Sequence, residues 1–211
     1  MRLTRLVART GLAVAVLSTG ALTLAPSASA GTHQSGTRSL ATVLAADKSG
    51  FDHDGADFDI LSAAVTAVLK AKPSSKVAVL ADGTTPVTAF LPTDRAFGKL
   101  VKDITGKAPG SEKATFEAVA SLGIPTVETV LLYHVVPGAT ITAKQALKAD
   151  GVALKTAQGG SVTVDVCGSK ITLIDADKDD RDPRVIKTDL NAGNRQIAHV
   201  IDRVLRPVNL P

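Results

Sequence analysis

The side chains of this sequence that could do chemistry are a few histidines, one cysteine and two runs of aspartates. His134 and His199 are the histidines that fall in regularly patterned segments. A histidine could serve as a general base beside a nucleophile, but no G-x-S-x-G elbow accompanies them. His199 alternates with Ile197 and Ile201, the pattern of a ring turned toward a core and held there by a hydrogen-bond partner. Asp175, Asp177 and Asp179 carry the alternate-acid spacing of a calcium loop, but Asp180 stands where that loop needs Gly and Ile186 where it needs Glu. Asp52, Asp54, Asp57 and Asp59 form a second cluster around His53. Solvated turns and helix caps account for both runs, so no metal ligand and no cofactor is assigned. Whether the Asp175–Asp182 loop holds calcium weakly stays open. Cys167 has no partner for an internal disulfide and reads as a small half-buried thiol, with an intermolecular disulfide as the alternative.

Composition narrows the function further. The chain of 211 residues has no Trp and one Tyr, too few aromatic rings to stack on sugars or single-stranded nucleic acid. Its formal charge of +4 owes three units to Arg2, Arg5 and Arg9. Residues 1–30 contain no acid, and without them 21 basic side chains face 20 acidic ones, a net of +1. That leaves no basic footprint for nucleic acid and no charge for acidic lipid. Residues 1–30 read as a signal peptide: the three arginines, the apolar run Gly11 to Ala25, and Ala28-Ser29-Ala30 before a cut at Gly31. The run is shorter than the roughly 20 apolar residues a spanning helix needs. The expected location is therefore secreted and extracellular, with no membrane attachment after cleavage.

These residues must be positioned by the elements around them. Residues 31–38 are small and polar and read as a flexible linker, and 39–208 as one domain. Ser39 caps a short helix through Leu44. Asp57 is expected to cap the next, whose stripe runs from Ile60 to Leu69 before Pro73. Val77–Leu80 and Val87–Leu91 read as strands. Asp94 is expected to cap a helix ending near Gly106, Ser111 to start another, and Thr126 a third. Later, Val162, Val164 and Val166 alternate, turn at Gly168-Ser169, and are answered by Ile171 and Leu173. Gln196–Leu205 reads as a long last strand. Helices come first and strands second, an α+β order.

Three blocks within this frame resemble the fasciclin domain family. Thr88 to Phe97 resembles its first signature, a strand running through Phe90 into Pro92-Thr93 and an Asp94-led helix that carries Phe97. Leu132 to Gly138 is similar to its central Tyr-His block. His199 to Pro207, with Asp202 between, resembles its second signature. The segment before His199, Asn194 to Ala198, is one residue longer than the family's usual form, and the Asp175–Arg184 loop is longer and more acidic.

The resemblance implies an α+β fold, with helices mostly in the N-terminal half packed on a two-sheet sandwich or wedge. It implies an extracellular adhesion or protein-interaction role with no enzymatic activity. Tyr133, His134 and Pro137 become candidate partner contacts, while Phe90, Pro92, Thr93, Asp94, Phe97, His199, Asp202 and Pro207 become structural signature residues. The two signature blocks would lie side by side, which makes a backbone carbonyl or a side chain of the Pro92-Thr93-Asp94 turn the expected partner of His199. At a helix end, His134 would be a dipole-favoured cation, cheaper to remove than His199. The alternative function is a carrier that holds a small apolar ligand between helices and sheet.

Overall fold

The computed structural model describes residues 35–46 and 50–209. The signal peptide expected over 1–30 lies outside them. The domain is α+β. Helix α1 spans Leu40–Leu44 and α2 spans Asp59–Ala71. A 3₁₀ helix over Lys76–Ala81 leads to β1, Val87–Pro92. Helices α3 (Asp94–Thr105), α4 (Glu112–Ser121) and α5 (Ile124–Tyr133) follow, then β2 (Val135–Pro137) and α6 (Ala143–Ala146). The rest is strand: β3 (Ala153–Lys155), β4 (Ser161–Cys167), β5 (Lys170–Ile174), β6 (Val185–Leu190) and β7 (Gln196–Ile201).

Two sheets form, one in the order β2-β1-β7-β6 and one in the order β3-β4-β5. At the centre of the first, β1 and β7 run parallel, with Phe90 opposite His199. Every residue of both strands is buried, as a sheet covered on both faces requires. Strand β1 divides its side chains by the two-residue period. Val87, Ala89 and Leu91 join a core with Ile60, Val68, Phe97, Leu100 and Leu131 of the helices. Phe90 points the other way, into a second core with Val162, Val164, Ile171, Leu173 and Ile201 between the sheets.

Several boundaries differ from the sequence expectation, each for a local reason. Val77–Leu80 is 3₁₀ helix instead of strand. Ser75 accepts the N–H of Val77, and Val77 and Leu80, three apart, bury together on a three-residue turn. Thr93, not Asp94, caps α3: its hydroxyl accepts the N–H of Ala96. Helix α2 starts at Asp59 without a cap from Asp57. Helix α5 starts at Ile124, two residues before Thr126, because Gly123 at φ +85° turns the chain and Pro125 suits the first turn. Strand β7 stops at Ile201 rather than Leu205. Within the expected linker, residues 36–38 are tied down. Arg195 donates its N–H to the Gly36 carbonyl, and Arg38 donates its own to Asn194 Oδ1. The Thr37 carbonyl lies so close to Gly83 that a Cβ there would sit 1.7 Å from it.

Among the described residues no single helix is long and apolar enough to cross a membrane.

Candidate functional site

The central Tyr-His block sits at the end of α5, where the chain enters β2. Tyr133 is buried and donates its hydroxyl to the Ser161 carbonyl at 2.8 Å. Its ring lies under Gly160, where a Cβ would come within 3.0 Å of the ring carbon Cε2. Burial, helped by the charge of Asp175, pushes its phenol up to about 12.

His134 is also buried. Nδ1 donates to the Val130 carbonyl at 2.7 Å, and Nε2 accepts the N–H of Leu205 at 2.9 Å. The accepted bond fixes Nε2 as the unprotonated nitrogen. Burial drives the imidazole down to about 4, against the opposing pull of the Val130 carbonyl. The expected dipole-favoured cation is therefore a neutral ring, because desolvation outweighs the helix terminus. Of the three candidate contact residues, only Pro137 is exposed. It lies in an open groove of about 450 Å³ lined by Ser75, Lys76, Val79 and Ala157.

His199 sits on β7 beside Phe90, ring centroids 6.2 Å apart. Nε2 donates to the Ile141 carbonyl at 2.8 Å, and Nδ1 accepts the N–H of Asp189 at 3.3 Å. Its partner is a backbone carbonyl, but on the loop after β2 and not on the Pro92–Asp94 turn. Burial lowers its pKa as well. The two histidines hold opposite tautomers, and each commits both nitrogens to backbone groups. Neither lone pair is left to take a proton from a nucleophile.

The remaining signature residues are structural. Phe90, Pro92 and Phe97 are buried. Asp94 serves a helix other than its own, since Oδ1 accepts the N–H of Ile60 at 3.0 Å, in the first turn of α2. Burial raises its carboxyl to about 6, opposed by that bond and by contact with Asp57 and assisted by the charges of Glu112 and Asp59. Asp202 accepts from Arg181 at 2.7 Å and from the Arg184 N–H at 2.8 Å, while its carbonyl takes Lys99 Nζ at 2.8 Å. Pro207 is half-buried where the chain leaves the domain.

The acidic loop after β5 is occupied by arginines. Arg206, buried, reaches Asp177 at 3.1 Å, Asp103 at 2.8 Å and Asp180 at 3.1 Å. Arg203 holds Asp180 at 2.6 Å and Asp103 at 3.0 Å. Asp175 and Asp177 also cap the loop backbone, accepting from Asp177 and Asp179 respectively. Sequence reasoning took Arg206 only as part of a signature block; the signal was its spacing of three from Arg203, opposite a loop of unpaired acids. Cys167 is exposed at the end of β4, not half-buried, because the two-residue period puts it on the outward face with Asp165, opposite Val162 and Val164.

The apolar space between the sheets, lined by Phe90, Ile141, Val164, Leu173 and His199 among others, amounts to about 10 Å³. Small-ligand pockets are roughly 300–1,000 Å³.

This architecture and its Tyr-His centre define a fasciclin-type domain. The Fasciclin domain matches residues 59–207, and the chain belongs to that family. A solved FAS1 domain pair from the insect cell adhesion molecule fasciclin I is similar in fold, with a TM-score of 0.51 at 20% identity. That likeness covers 73% of this chain and 48% of the insect structure, so the chain spans about half its length. No curated protein matches the chain. Fasciclin domains are generally extracellular adhesion and protein-interaction modules, in a family that is not enzymatic.

Proposed function

We propose that this chain is a secreted, non-catalytic interaction module that meets an extracellular or cell-surface protein or matrix component. The observation that carries the non-catalytic part is the complete backbone engagement of His134 and His199. The enclosed spaces within the two cores, about 10 Å³ between the sheets and about 20 Å³ among the helices, favour adhesion over the carrier reading. The signal-peptide pattern read in residues 1–30 supports secretion, and the family suits it.

The contact surface in this reading is the groove beside Pro137. Tyr133 and His134 are buried immediately before β2, so in this reading they act on a partner only through the position of Pro137 and its neighbours. Lys76 and Ala78 give the groove an exposed rim. The test is capture of surface and secreted proteins on the immobilised domain, with sedimentation run in parallel for self-association. Lys76→Glu and Ala78→Glu, both at exposed positions of the rim, should abolish capture while leaving the unfolding midpoint unchanged. Undiminished capture by both folded variants would remove the groove from the proposal.

A further inference from the structure

The start of α2, the start of α3 and the start of α4 converge on one point, and each brings an acid. Asp57 precedes α2, Asp94 opens α3 and Glu112 opens α4. One carboxylate oxygen from each lies within 4.8 Å of the others. Helix N-termini favour nearby acids and offset part of this charge. They do not account for Asp94. That residue is 3% exposed, and its Oδ1 is already used by the Ile60 N–H. Its second oxygen, Oδ2, is buried and takes no backbone N–H, lysine or arginine among the described residues; the only side chain hydrogen-bonded to this carboxyl is another acid, Asp57. Neither Asp94 nor Glu112 is ion-paired to a described lysine or arginine, whereas the acids of the Asp175–Asp182 loop face Arg203 and Arg206.

We propose that Asp57, Asp94 and Glu112 bind a hard divalent cation, with Ca²⁺ the ion their ligand chemistry matches. Ca²⁺ takes carboxylate oxygens at about 2.3–2.6 Å, so two oxygens on one ion lie at most about 5 Å apart, which the cluster satisfies. Asp94 comes from the β1–α3 junction, and its buried carboxyl meets that of Asp57 on a loop far from it in sequence. Glu112 is fixed by the His53 N–H, which its Oε2 accepts at 3.0 Å. A bound ion would join the three helix starts and fasten the loop before α2 to α3 and α4.

The experiment uses EDTA-treated protein titrated with CaCl₂, and separately with MgCl₂, followed by calorimetry and thermal unfolding. One Ca²⁺ per chain should bind with a Kd of about 10⁻⁴–10⁻³ M, the range of extracellular modules, and raise the midpoint saturably. Asp57→Asn and Glu112→Gln, checked for native circular dichroism, should each weaken binding about tenfold through loss of ligand charge. Asp177→Asn, in the arginine-filled loop, should leave Ca²⁺ affinity unchanged. The proposal is overturned by the absence of saturable heat and midpoint shift in folded protein, or by unchanged affinity in both cluster variants. It is equally overturned if stability responds to pH but not to Ca²⁺, since Asp57 and Asp94 then share a proton in place of an ion.

Discussion

His134 accepts the backbone N–H of Leu205 through Nε2 at 2.9 Å, across 71 residues of sequence. The bond ties the end of α5 to the segment that has just left the last strand. Leu205 lies in the core between the sheets, so the N–H would otherwise be buried without an acceptor. The same ring donates back to Val130, one turn earlier in α5. The Tyr-His block is therefore a clamp between the helical layer and the C-terminal segment.

Removing the clamp should cost more than removing the other histidine, the reverse of what the sequence suggests. His134→Ala opens a cavity and strands the Leu205 N–H, a combined loss of about 2–4 kcal/mol. His199→Ala opens a cavity as well, but the N–H it strands, that of Asp189, makes a longer and weaker bond at 3.3 Å, so the loss should be smaller, about 1–3 kcal/mol. Urea midpoints of the two variants at pH 7 decide the order. A smaller loss for His134→Ala would mean that the Leu205 bond contributes little.

The clamp also sets a pH dependence. In the folded state His134 titrates near 4, below its ordinary value of 6.5. Its neutral form is thus the one the fold favours, and the unfolded chain binds the proton first. The contribution is full above pH 6.5, falls as pH drops, and is gone below about 4, for a total of about 3 kcal/mol. Unfolding free energies measured from pH 7.5 to 4 should converge for wild type and His134→Ala. Parallel curves would show that the ring binds its proton equally well in the folded and unfolded chain, with no effect of burial.

The helix stripes, the β4–β5 hairpin and the strand character of the two signature segments were legible because each rests on a local period or turn. What was not legible depended on long-range pairing. Asp94 looked like the cap of its own helix, since an acid in that place usually is one. Only the approach of α2 reveals that Ile60 takes its oxygen, leaving Thr93 to cap α3. His134 looked like a surface cation because sequence does not say that Leu205 will lie over it. The 3₁₀ helix at Lys76–Ala81 escaped because four apolar residues in a row fit strand and helix alike.

The reassigned cap gives a sharp test. Thr93→Ala should destabilise the domain by about 1 kcal/mol through loss of the bond to the Ala96 N–H, and Thr93→Ser should restore most of it. Thermal unfolding of the three proteins reads this directly. If Thr93→Ala is neutral, the cap at the α3 start is not held by that hydroxyl.

The acidic loop supplies the last prediction. Arg206 and Asp177 form a pair whose side chains are 7% and 3% exposed. Removing one member of such a pair leaves an uncompensated buried charge, at a cost of about 3–5 kcal/mol. Arg206→Ala should therefore be among the most damaging substitutions in the C-terminal half. Arg206→Lys should recover little, because a single ammonium cannot reach Asp103, Asp177 and Asp180 from one fork. The exposed pair Arg181–Asp202 is the control: Arg181→Ala should cost at most about 1 kcal/mol and lose that effect in high salt. Denaturant midpoints at low and high NaCl separate the two cases. A mild, salt-sensitive effect for Arg206→Ala would place the Asp177 carboxylate in contact with water and dissolve the distinction between the loop's buried and exposed ion pairs.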